Sequence, residues 1–122
     1  MKEILLDTSS IIFGLSNKID TFQILKESFP TYRITIPLGV IRELKGFAKG
    51  KKKEKLQAKI GLALLEKYKI HVVKNNEYVD NWIFKNADNT DVIVCTNDVE
   101  LKHRLKETGA KTISLSRSGL LR

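Results

Sequence analysis

Residues 91–98 read Asp-Val-Ile-Val-Cys-Thr-Asn-Asp and run straight into Val99, Glu100, Leu101, Lys102, His103, Arg104, Leu105 and Lys106. Four consecutive apolar residues, three of them β-branched, predict a strand buried on both faces, as strands of parallel sheets are. Leu101 and Leu105, four apart, predict the inner face of a helix. The stretch therefore places Asp98 where a central strand gives way to a helix. In open α/β sheets ligands gather outside the carboxyl ends of the strands, so the fold and the search for a site both start here.

The beginning of the chain repeats this design. Glu3 to Leu6 form a short apolar run that ends at Asp7, and Thr8, Ser9 and Ser10 offer hydroxyl caps before Ile11, Ile12 and Phe13. Phe22, Leu25 and Phe29 fall at helical spacing, and Pro30 closes a helix expected over 20–29. Residues 32–36 alternate as a strand, and Pro37 suits the start of a helix over 37–47 with Val40, Leu44, Phe47 and Ala48 on one face. Glu43 lies about 100° from the centre of that face, at its margin.

Gly46 and Gly50 predict a break before Lys51, Lys52 and Lys53, in what reads as the most exposed and mobile part of the chain. A long helix follows, with Leu56, Ile60, Ala63, Leu64 and Tyr68. Residues 70–73 read as a strand, and Asn75 and Asn76 as caps for a helix bearing Val79, Ile83 and Ala87, with Asp80 close to its apolar face. Gly109 stops the helix that begins at Val99, and 111–115 is the last strand. The order βααβααβαβαβ predicts a three-layer α/β/α domain over 1–122 with a mainly parallel five-stranded sheet.

The composition restricts what such a domain can do. The hydrophobic share of 42% with 30% charged residues is that of a folded globular chain. No run approaches the ~20 apolar residues of a membrane span, and the start has too short an apolar stretch for a signal peptide, so a cytoplasmic protein is expected. The single cysteine, Cys95, excludes an internal disulfide and a multi-thiolate zinc site, and His71 and His103 are too few to replace thiolates. A metal would have to be held by oxygen.

The net charge of +8 is unevenly spread. From Lys45 to Lys59 there are seven lysines (among them Lys49, Lys51, Lys52, Lys53 and Lys55) against Glu54 alone. From Glu77 to Glu100 there are six carboxylates against Lys85. A lysine run is often no more than a solvated helix face. Beside an acidic cluster it is also the pattern expected where a polyanion is gripped by cations and presented to a metal.

Asp7, Glu43, Asp80 and Asp98 have compatible placements, provided the first and fourth strands are neighbours. Four acids so close repel, which implies either divalent cations between them or raised pKa values. Oxygen-only donors suit Mg²⁺ or Mn²⁺, ions able to activate water and neutralise a phosphodiester. Each acid also has an ordinary alternative: Asp7 can hold its turn, and Glu43 can be plain surface. Asn97 and Glu100 have capping-box spacing, which would leave Asp98 free of the helix cap. Asp91 lies a strand's length, ~13 Å, from Thr96 and falls outside the group.

The sequence resembles the PIN-domain nucleases. ILLDTSS at 4–10, IRELKGF at 41–47, VDNWIFKNA at 79–87 and VIVCTNDVELKHRL at 92–105 look like that family's four motifs, in order, over nearly the whole chain. The resemblance implies a Mg²⁺- or Mn²⁺-dependent endoribonuclease leaving 5′-phosphate and 3′-hydroxyl ends. It implies Asp7, Glu43, Asp80 and Asp98 as metal ligands, with Thr8, Thr96 and Asn97 in support. Asn81 departs from the pattern, since some members carry a second acid there, and this bears on a second metal.

Homodimerisation is carried over from the family in the same way. An antitoxin is the partner expected of a toxin-type member, and a ribosome-assembly partner that of an RNA-processing member. The basic 49–55 segment favours the processing type. The competing reading is a non-catalytic RNA-binding or assembly domain that keeps the fold. Cys95 reads as core, His103 as surface or a phosphate contact, and Trp82 and Phe84 as core or dimer contacts.

Overall fold

The computed structural model describes residues 1–122 and follows the expected element order. In sequence these are β1 (Glu3–Leu6), α1 (Thr8–Ser16), α2 (Thr21–Ser28), β2 (Arg33–Pro37), α3 (Leu38–Lys49), α4 (Lys55–Lys67), β3 (His71–Val73), α5 (Val79–Asn86), β4 (Val92–Cys95), α6 (Val99–Glu107) and β5 (Lys111–Ile113). The five strands lie in the order β3-β2-β1-β4-β5, and every pairing is parallel.

This order gives the route of the chain through the sheet. The chain begins in the middle of the sheet, steps outward through β2 to β3, then returns to the other side of β1 for β4 and β5. With right-handed crossovers, the outward half puts α1 to α4 on one face and the return puts α5 and α6 on the other. The reversal between β1 and β4 leaves a crevice at their carboxyl ends. Leu6 pairs with Cys95, so the next residues, Asp7 and Thr96, leave the sheet side by side.

The apolar runs of β1 and β4 are buried as read, whereas Val72 of β3 and Leu56 and Ile60 of α4 are exposed, α4 burying Ala58, Gly61 and Leu65 instead. Ile4, Leu6, Ile36 and Cys95 are fully buried, and Leu101 and Leu105 bring α6 onto the same core. Val79 and Ile83 do this for α5, with Trp82 and Phe84 half-buried around them. Phe84 lies beneath the Arg104 guanidinium, 4.8 Å from ring centre to Cζ, which ties α5 to α6. No helix is long and apolar enough to cross a membrane.

Three local expectations are corrected. Helix α3 runs through Gly46 and ends at Gly50, because the exposed face of a packed helix tolerates a glycine that meets nothing within 4 Å. Asn75 and Asn76 do not cap α5; Tyr78 is its N-cap residue and forms no side-chain cap bond. Asn75 is buried and committed elsewhere, accepting from Gly39 N at 2.9 Å and donating to Glu77 O at 2.6 Å. The last strand stops at Ile113, and Leu115 instead bridges antiparallel to Leu121.

Among the glycines, Gly14 leaves the least room for a side chain. A Cβ there would stand 2.1 Å from Thr21 Oγ1, whose hydroxyl donates to Ser10 O at 2.9 Å and joins α2 to α1. Gly14→Ala is expected to lower the unfolding free energy by about 1–3 kcal/mol through overpacking. Gly46→Ala, in open space within a helix, is expected to raise it by about 0.5–1 kcal/mol. Urea denaturation of the two variants checks both signs, and a stabilising Gly14→Ala would contradict the packing.

Candidate active site

Asp7 follows β1, Glu43 projects from α3, Asp80 lies in the first turn of α5, and Asp98 opens α6. All four line one cleft of about 800 Å³ at the carboxyl edge of the sheet, over the β1–β4 reversal. Asp7 is 4% exposed and Asp98 is half-buried, while Glu43 and Asp80 reach solvent with carboxyl groups partly shielded by the cleft walls. Asp91 sits exposed at the other end of β4, where its carbonyl accepts from Glu3 N.

Hydroxyls hold the acids in place. Ser9 and Thr96 both donate to Asp7 Oδ2, at 2.7 and 2.8 Å, and Thr8 donates to Glu43 Oε1 at 2.7 Å. The two hydroxyl oxygens on Asp7 then accept backbone N–H groups from the turn after β4: Asn97 N to Ser9 Oγ at 3.0 Å and Asp98 N to Thr96 Oγ1 at 3.1 Å. Asn97 is committed structurally: Oδ1 accepts from Ser10 at 2.8 Å, and Nδ2 donates to Leu115 O at 2.8 Å.

The cap of α6 corrects the sequence reading. Asp98, not Asn97, is the N-cap residue, and its Oδ1 accepts from Leu101 N at 3.0 Å. Asn97 cannot serve because Ser10 and Leu115 take its amide. The bond fixes the Asp98 carboxylate at a helix N-terminus, where a negative charge is favourable.

Residues 4–118 match the family described as PIN like domain. The chain belongs to the PIN-like domain family. It is 35% identical over 112 residues to Ribonuclease VapC4 of Methanocaldococcus jannaschii, covering 88% of this chain and 85% of that protein. Ribonuclease VapC9 of Archaeoglobus fulgidus is 34% identical over 104 residues, covering 84% and 75%. Among solved structures, the PIN domain endonuclease Utp24 superposes with a TM-score of 0.79 at 23% identity, over 98% of this chain and 89% of its own. VapBC2 of Rickettsia felis, solved with a DNA fragment, superposes at 0.59 and 13% identity over 93% and 99%. At these identities the two structures confirm the fold.

The acids of this PIN-like domain disturb one another. Burial is the first cause raising the Asp7 carboxyl above its ordinary value, and the Asp98 charge adds to it, while Ser9 and Thr96 pull the other way. Glu43 is raised by burial and by Asp7 and Asp80, against its bond from Thr8. Asp80 is raised by burial, then by Asp7 and Asp98, with Arg104 opposing. As they stand, no three of these side chains close around a point where an ion would sit. The donor set fits a hard divalent cation in kind, being all oxygen and mutually repelled.

Lys53 and Gln57 also line the cleft, as does Glu54 from the turn before α4. Sequence reading missed the last two: Glu54 counted only as a lone acid among lysines. Glu54 Oε2 and Gln57 Oε1 are buried without a hydrogen-bond partner. Ser9 and Ser10 were also missed as site residues, being read as helix caps. Lys45, Lys49, Lys51, Lys52 and Lys55 are exposed but do not line the cleft. His103 is surface, 3.1 Å from Glu107, and Cys95 is core, its thiol pushed up to about 11 by burial.

Because Asp7, Glu43 and Asp80 bind protons more tightly folded than unfolded, they favour the metal-free fold below the ordinary carboxylate pKa of about 4. That contribution is lost as pH rises through their raised folded values. In chelator, wild type should therefore lose melting temperature relative to Asp7→Asn as pH rises from about 4 towards neutrality. A relative gain for wild type as pH rises would refute the raised carboxyls, whose first cause is burial and whose second is their mutual charge.

Proposed function

We propose that this PIN-like domain, residues 1–122, is an endoribonuclease whose Mg²⁺ or Mn²⁺ would be held by Asp7, Glu43, Asp80 and Asp98. One observation carries the reading: four carboxylates from distant parts of the chain line one cleft at the point where the strand order reverses. The ribonuclease names of both sequence relatives support it. Their VapC designation favours a toxin-type role with an antitoxin partner over the RNA-processing role suggested by the 49–55 segment.

When bound, such an ion neutralises charge on the phosphodiester and makes water a better nucleophile. The chain's own residues have separate tasks. Ser9 and Thr96 hold Asp7 in one orientation, Thr8 does so for Glu43, and the cap bond to Leu101 does so for Asp98. Asn97 fixes the turn that carries Asp98. Lys53, at the cleft wall, contacts the backbone near the cut; Lys45, Lys49, Lys51, Lys52 and Lys55 attract and orient the rest of the strand.

The rival reading, a binding domain without chemistry, draws on the acids' failure to converge. A single substitution separates the two. Asn caps a helix about as well as Asp, so Asp98→Asn should leave stability within about 0.5 kcal/mol. It should reduce Mn²⁺-dependent cleavage of single-stranded RNA at least about a hundredfold. Cleavage without metal, or undiminished in Asp98→Asn, rejects the proposed site; metal-independent binding with no product supports the rival.

The lysines give a second expectation. Replacing Lys51, Lys52 and Lys53 together with alanine should flatten the slope of log affinity against log salt by about 2, at ~0.7 for each single-strand phosphate that a lysine no longer neutralises. A slope equal to that of wild type would remove these lysines from the interface.

A further inference from the structure

Beside the acidic cleft, and sharing Glu43 with it, runs a second groove of about 600 Å³. Arg42, Asn76, Glu77, Tyr78 and Asn81 line it, with the Glu77 carboxylate offset by Lys85 at 3.7 Å. Tyr78 is 86% exposed. The other two tyrosines pack their rings, Tyr32 against Phe29 at 5.3 Å and Tyr68 against Phe22 at 5.8 Å. Tyr78 has no such neighbour and occupies the N-cap of α5 without a cap bond, a position that favours Ser, Thr, Asp or Asn. A residue that breaks a local preference and buries nothing in return points to a task outside the fold.

The segment that presents the ring is firmly held. Asn75 is 8% exposed, and its amide joins Gly39 at the start of α3 to the Glu77 carbonyl. A Cβ on Gly39 would lie 2.7 Å from Val79 Cγ2, so α3 and the start of α5 are in direct contact. Asp80, two residues beyond Tyr78, faces the acidic cleft. The backbone positions that carry Tyr78, Arg42, Asn76 and Asn81 are therefore set relative to the carboxylates, while their exposed side chains are free to close on a ligand.

We infer that this groove is a nucleotide subsite for single-stranded RNA, in which Tyr78 stacks on the base of a nucleotide flanking the cut phosphodiester and Arg42 contacts its phosphate. An exposed ring is a sequence-tolerant platform for a base, and a guanidinium matches a phosphate. Asn76 and Asn81 supply donors and acceptors for a base edge without adding negative charge. The assignment rests on the endoribonuclease reading and adds where the strand lies.

Steady-state kinetics on a single-stranded RNA oligonucleotide test it, with wild type, Tyr78→Ala and Tyr78→Phe, and with the same oligonucleotide made abasic beside the mapped cut. Tyr78→Ala should raise KM about five- to a hundredfold with kcat within about twofold, while Tyr78→Phe should match wild type. The abasic substrate should cost wild type the same factor and cost Tyr78→Ala nothing further. An unchanged KM in Tyr78→Ala, an equal loss in Tyr78→Phe, or additive losses would overturn the subsite while leaving the nuclease reading intact.

If wild type cuts no RNA, the nuclease reading fails on its own, and fluorescence anisotropy with the labelled oligonucleotide decides the subsite. Weaker binding by Tyr78→Ala with full binding by Tyr78→Phe supports it, and equal binding by wild type and Tyr78→Ala rejects it.

Discussion

A carboxylate held almost out of water, Asp7 at the end of the central strand, is the constraint on which the rest of the site depends. Burying such a group is costly unless donors replace water. Two hydroxyls do so, and each has a single proton. With both protons spent on Asp7 Oδ2, the 3.2 Å approach of Ser9 Oγ and Thr96 Oγ1 is a contact between acceptors. Each oxygen then takes a backbone N–H from the turn after β4. Solvating Asp7 thus fixes the turn that places Asp98, and Ser10 and Asn97 extend the network to Leu115 beyond β5.

The chain's architecture was legible because its main signals are local. VIVC and EILL read as buried strands, each is followed within three residues by an acid, and the helices between them have enough apolar spacing to be recognised. The parallel order followed from alternation. Adjacency of β1 and β4 could only be assumed, since it depends on the chain returning past β1 after β3. Once that adjacency holds, Asp7 and Asp98 meet without further information.

What could not be read was settled by partners distant in sequence. Asn97 and Asp98 are both good caps, and a window of residues gives no reason to prefer the second. Ser10, 87 positions away, decides it by claiming the Asn97 carbonyl. Asn75 was likewise removed from the cap of α5 by Gly39, 36 positions away. Gly46 misled in the opposite direction: its flexibility suggested a break, but Leu44 and Val40 anchor the helix on its inner side and the outer side asks for nothing.

Under the proposed reading, the charge distribution gives the site an order of events. Exposed lysines around 45–55 on a chain of net charge +8 attract a polyanion from a distance set by salt, ~10 Å at 0.1 M. At contact range the sign reverses, because Asp7, Glu43, Asp80 and Asp98 repel a phosphate entering their cleft. A strand can be captured by the lysines while its phosphodiester is refused by the acids. Under the proposed reading, only a cation among the carboxylates removes that refusal, so the charge that makes binding fast is separate from the charge that makes cutting conditional. If Asp7 holds a cation as proposed, the burial that raises it serves the same end, since a carboxylate that is uncomfortable alone gains most from a divalent partner.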